Sequence, residues 1–89
     1  MKLSNNLKVA FEIYRAEINN EQVWLSKLAD NLEMNIRVVA NCLDYLEESD
    51  IVLGGYDYID DTHIKRMFII HDGAFSRIKE LYDEYCKQN

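Results

Sequence analysis

The chain has 89 residues, of which 48% are hydrophobic and 29% charged, and a formal net charge of −6. That length and balance fit one folded domain; they exclude a disordered segment, and with no unbroken apolar run of about 18 residues they exclude a membrane-spanning helix. The negative sign works against tight sequence-independent binding to nucleic acid, where phosphate neutralisation dominates, although a local basic stripe is compatible with an acidic whole.

Helical spacing of Leu7, Ala10, Phe11, Tyr14 and Ile18, widened by Val9 and Ile13, predicts a first helix from Asn5 to about Glu17, with Ser4 as its N-cap. Asn19-Asn20 is a stop signal, and Gln22 to Leu25 reads as a short edge strand. A second helix is expected to start after Ser26, turn Leu28, Ala29 and Leu32 inward, and end near Asn31, where the period shifts at Glu33-Met34. Asn35 is a good cap for a third helix running to about Glu48. Val39, Leu43 and Leu46 form its core stripe, flanked by Cys42. Arg37, Ala40, Asn41 and Asp44 lie opposite, and Ile36 and Val38 fall near the edge.

From Ile51 to Ile70 the pattern changes to two strands rich in β-branched and aromatic residues, with Asp60-Asp61-Thr62 between them. Gly54-Gly55 suggests a bulge or bend rather than the hairpin tip. His71-Asp72-Gly73 ends the second strand, Asp72 is a candidate cap, and a last helix from Ala74 to about Lys87 carries Phe75, Ile78, Leu81, Tyr82 and Tyr85 on one face. The chain contains no proline and three glycines, which favours helices joined by short turns.

Two helices joined by a tight turn, the second leading into a strand, make a helix-turn-helix over about 26–48; a wing follows over about 51–70 and a terminal helix over about 74–87. The predicted fold is mainly α with a small β-hairpin, a winged helix-turn-helix ordered helix, strand, helix, helix, hairpin, helix. The run LSKLADNLEMNIRVVANCLDYLEESDIV resembles the helix-turn-helix of the MarR, ArsR and PadR-like winged-helix regulators. The matching features are L-x-x-L-A-x-x-L, the turn residue Met34, the cap Asn35, and V-x-x-x-L-x-x-L-E ahead of Ile51-Val52. The run FIIHDGAFSRIKELYDEY is similar to their wing-exit strand and terminal helix. Asp50 departs from the pattern, standing where such families usually place a glycine, and Asp57, Asp60 and Asp61 make the wing acidic.

The resemblance implies sequence-specific binding of double-stranded DNA by a small transcriptional regulator, with helix 36–48 in the major groove and the wing on the flanking backbone. Arg37 and Asn41 are then candidates for guanine and adenine contacts, and Ser26, Lys27 and Asn35 for phosphate contacts. His63, Lys65 and Arg66 form the clustered positive charge of the wing, either reaching DNA or pairing across the hairpin with Asp57, Asp60 or Asp61. Asn35 and Arg37 equally fit a plain cap and a solvated charge. The alternative function is an acidic protein-interaction module that binds no DNA and takes a basic protein partner.

A chain this short buries only about 60% of its unfolded surface, so dimerisation is an ordinary remedy. Phe75, Ile78, Tyr82 and Tyr85 are the expected homodimer contact, unless they complete the monomer core with the first helix. Cys42 and Cys86 are too few for a disulfide framework, no metal-ligand spacing occurs, and no catalytic constellation is recognisable, so neither a cofactor nor an enzyme is expected. The opening residues do not read as a secretory signal, and the expected compartment is the cytoplasm.

Overall fold

The helix α1 (Asn5–Ile18) is the hub. Its Val9, Ala10, Phe11, Ile13, Tyr14 and Ala16 are all buried, so the apolar surface covers most of its circumference rather than one stripe. A helix of that kind must be enclosed by neighbours. Here α2 (Leu25–Leu32), α3 (Ile36–Glu48), β2 (Ile64–Ile70) and α4 (Asp72–Gln88) all pack on it. β1 (Val52–Tyr58) pairs antiparallel with β2, in a register running from Val52 opposite Ile70 to Tyr58 opposite Ile64. The structure is a computed structural model that describes residues 3–58 and 64–88. Helix-turn-helix followed by hairpin and terminal helix is the winged-helix fold, mainly α with one small hairpin, as the sequence predicts.

Three helices end in the same way. Asn20, Glu33 and Asp50 each adopt a left-handed backbone, with φ of 58°, 54° and 57°. The next residue donates its N–H back into the helix: Glu21 to Ala16 O at 2.8 Å, Met34 to Ala29 O at 3.0 Å, Ile51 to Leu46 O at 2.9 Å. This is the Schellman arrangement, which satisfies carbonyls left open at a helix end. At Glu33 it produces the tight turn between α2 and α3. At Asp50 it explains why glycine is the usual choice there: the position requires positive φ, which aspartate tolerates better than most residues. The predicted caps Ser4 and Asn35 are in place, accepting the N–H groups of Leu7 at 3.2 Å and Arg37 at 2.8 Å.

Four local expectations are corrected. Trp24, extended at φ −135°, takes the N-cap position of α2, and Ser26 lies inside the first turn. The segment from Gln22 to Leu25 is not a strand. Among the described residues its backbone tie to the sheet is a single hydrogen bond, from Phe68 N–H to Val23 O at 3.1 Å, because the Glu21 N–H is taken by the end of α1 and the Ile70 N–H goes to Glu17 Oε1. Gly54 and Gly55 sit in continuous register opposite Phe68 and Met67, with no bulge. The last helix starts at Asp72 rather than Ala74, and its cap is His71, whose Nδ1 accepts the Gly73 N–H at 3.0 Å.

Candidate nucleic-acid interface

The turn at Glu33 and the Asn35 cap present the first turn of α3 to solvent. Ile36, Arg37 and Val38 are exposed there, while Val39 behind them is fully buried. Asn41 follows one turn later on the exposed side of the helix. Burial of Val39, Cys42, Leu43 and Leu46 against the core fixes this rotation, so Arg37 and Asn41 point outward together.

A second positive element is built around Trp24, a residue not singled out by sequence reasoning. The Lys27 ammonium lies 5.1 Å from the centre of its indole ring and the Lys65 ammonium 5.7 Å. Lys27 also donates to Gln22 O at 2.9 Å. One aromatic side chain thus holds two cations, from the first turn of α2 and the start of β2, by attraction to its quadrupole. The N-terminus of α2 has no side-chain cap, so its partial positive charge adds to theirs. Trp24, Ser26 and Lys65 line one crevice with Ile36 and Ala40 of α3, which brings the α2 and wing candidates beside the start of that helix. The local signal for this arrangement was an aromatic residue three positions ahead of a lysine.

Arg66 is placed differently from either sequence reading. Its guanidinium makes a two-pronged pair with Glu47 of α3, through Nη1 to Oε1 at 2.7 Å and through Nη2 to Oε2. It also lies 5.3 Å from the centre of the Phe68 ring. Arg66 therefore ties the hairpin to α3, and its charge is matched inside the molecule. Asp57 faces Lys65 in the strand register and accepts a hydrogen bond from Gln22 at 3.3 Å. Asp44 borders the crevice. Among the described residues of α2, α3 and the hairpin, the positive side chains outside the Arg66–Glu47 pair fall into two groups, Arg37 and the Trp24 lysines. The expectations for His63, Asp60 and Asp61 lie outside the described residues.

Gly54 is what lets Arg66 reach across the hairpin. A Cβ at this position would stand 2.8 Å from the guanidinium carbon. Gly54→Ala is expected to push the side chain off Glu47 and lower stability by about 0.2–1 kcal/mol, the range for an exposed ion pair. A thermal melt of the variant checks this; a melting temperature unchanged from the parent would show that the pair adds nothing to stability.

The aromatic face of α4 is largely engaged within its own chain. Phe11 meets Tyr82 edge-on at 5.5 Å and Tyr85 at 5.7 Å, and Tyr14 meets Phe75 at 5.4 Å and Tyr82 at 5.0 Å. Ile78 is 4% exposed and belongs to the monomer core, which removes it from the expected dimer contact. Phe75, Tyr82 and Tyr85 remain half-buried, and the two tyrosines line an open groove with Leu3, Phe11 and Leu32.

No protein-family model matches the chain, and no curated protein matches it in sequence. Its fold is shared with several solved structures. AF1382 from Archaeoglobus fulgidus superposes with a TM-score of 0.78 at 12% identity, over 94% of this chain and 87% of that one. Pex from Synechococcus superposes with a TM-score of 0.64 at 20% identity, over 96% and 84%. A mutant form of Lactococcus lactis ZitR, a zinc-responsive MarR family member, superposes with a TM-score of 0.76 at 16% identity. That match covers 99% of this chain and 56% of ZitR, so the chain spans little more than half of that protein. Identities this low establish likeness of fold.

Proposed function

We propose that this protein is a small transcriptional regulator that binds double-stranded DNA sequence-specifically. The observation that carries the reading is the geometry of the α2–turn–α3 unit. It leaves Arg37 and Asn41 outward at the start of α3 and gathers Lys27 and Lys65 on Trp24 beside it. A helix presented this way enters the major groove by its N-terminal residues. Arg37 pairs with guanine and Asn41 with adenine through two hydrogen bonds each. Ser26, Lys27, Lys65 and the Asn35 cap fix the backbone register, while Arg66 acts as a positioning residue for the wing. Two copies, joined through the groove beside Tyr82 and Tyr85, read half-sites about one helical turn apart.

Selection from a randomised duplex pool, at low and at physiological salt, tests the reading directly. Enrichment of a two-fold-related motif supports it. Absence of enrichment at both salts overturns it in favour of an acidic module for a basic protein partner. Once a site is known, replacing both Lys27 and Lys65 with glutamine should weaken all sequences alike. The slope of log affinity against log salt should flatten by nearly two, since each phosphate contact contributes about 0.9. An unchanged slope would remove the Trp24 lysines from the interface.

A further inference from the structure

The charge along α3 is uneven. Arg37 stands in its first turn, whereas Asp44, Glu47 and Glu48 follow in its second half. Glu47 is neutralised by Arg66, but Asp44 and Glu48 are exposed and would repel a phosphate backbone laid along the helix. Only the first turn and a half is therefore suited to lie deep in a groove. Within that tip, Ile36 is 47% exposed and Val38 36% exposed, directly on either side of Arg37. Ile36 faces the crevice beside the wing, and Val38 faces the side of α3 shared with Asn41 and the start of α1. Single exposed apolar residues on a protein surface need no explanation. Two β-branched residues bracketing the one arginine of a reading helix are a different pattern, because the apolar feature of the major groove is the thymine methyl group.

We infer that Ile36 and Val38 are specificity-determining residues that read thymine C5-methyl groups on the two sides of the base contacted by Arg37. This rests on the DNA-reading function proposed above. The tip of α3 then carries a four-residue alphabet: Arg37 for guanine, Asn41 for adenine, Ile36 and Val38 for thymine. Asp44 and Glu48 keep the rest of the helix out of the groove and limit the core of each half-site to the few base pairs under the tip.

The test uses the full chain and the duplex selected by it, with deoxyuridine replacing thymidine one position at a time. Deoxyuridine lacks only the methyl group and leaves every hydrogen bond in place. Loss of one buried methyl contact weakens binding about fourfold. The expected result is a loss of that size at one position that disappears in Ile36→Ala, and at another that disappears in Val38→Ala. Both side chains are exposed, so both variants should melt like the parent. Tight, sequence-specific binding that is indifferent to every methyl group overturns this inference and leaves the DNA-reading function standing. The same result follows if the methyl effects persist unchanged in both variants. Failure of the parent protein to select any sequence overturns the function and the inference together.

Discussion

Arg37→Ala is expected to weaken binding to the selected duplex roughly 5- to 150-fold, corresponding to about 1–3 kcal/mol for a two-pronged arginine–guanine contact. Stability should change by no more than about 0.5 kcal/mol, because the side chain is exposed and its backbone N–H, which holds the Asn35 cap, is retained. Arg37→Lys separates the two roles a cation can play at this position. It preserves the charge but not the planar fork, so a phosphate contact would survive it and a guanine contact would not. We expect Arg37→Lys to bind almost as weakly as Arg37→Ala while retaining the parent salt slope. Competition titrations against the selected duplex and a scrambled one measure this. If Arg37→Ala keeps its preference for the selected site within twofold, the docking of α3 is wrong.

Leu28→Ala should have the largest effect on folding. Leu28 is fully buried, and with Ala29 it makes up the buried surface of a helix only eight residues long. A helix of that length has no stability of its own and is held by its packing. Truncating a buried leucine to alanine costs about 2–5 kcal/mol, the spread reflecting how far the site can collapse. Total stabilities of small domains are about 5–15 kcal/mol, so a large share is removed. The melting temperature should fall by about 10 °C or more. α2 carries Lys27 and is continuous with Trp24, so DNA binding should be lost at temperatures where the variant still retains most of its helix. A destabilisation under about 1 kcal/mol in chemical denaturation would show that α2 is anchored elsewhere.

The acidic balance of the chain is compatible with this chemistry because of where the charges are placed. Arg15 of α1 is held by Glu12 at 2.6 Å and by Glu21 at 3.2 Å, and Lys79 of α4 by Asp83 at 2.7 Å. These pairs use cations that lie outside α2, α3 and the hairpin. Among the described residues, Lys27, Lys65 and Arg37 are the ones left beside it. Binding is then expected to be weak on random sequence and to depend strongly on base contacts, because few phosphates are neutralised.

Much of the architecture was legible in the one-dimensional pattern. The spacing of Val39, Leu43 and Leu46 decided the rotation of α3, and with it the outward direction of Arg37 and Asn41. Ser4 and Asn35 were readable as caps because a short polar side chain ahead of an apolar period has one good use, accepting an N–H that the helix leaves open. These are local properties, encoded within a few residues of where they act. The errors arose where one local rule met a distant competitor. Ser26 obeyed the capping rule, but Trp24 was already extended ahead of the helix. The segment at Val23 had strand composition, yet the bonds a strand needs were taken by the end of α1 and by Glu17.

The sequence by itself thus determined the four helices, the hairpin, their order and the residues that α3 exposes, because helical period, capping and turn formation are short-range. Tertiary structure alone decided which charges remain available for a partner. Arg66 and Glu47 are 19 residues apart, Lys27 and Lys65 lie on different elements, and the aromatic face of α4 is absorbed by Phe11 and Tyr14. Pairing of this kind depends on distances across the fold, which no periodicity along the chain records.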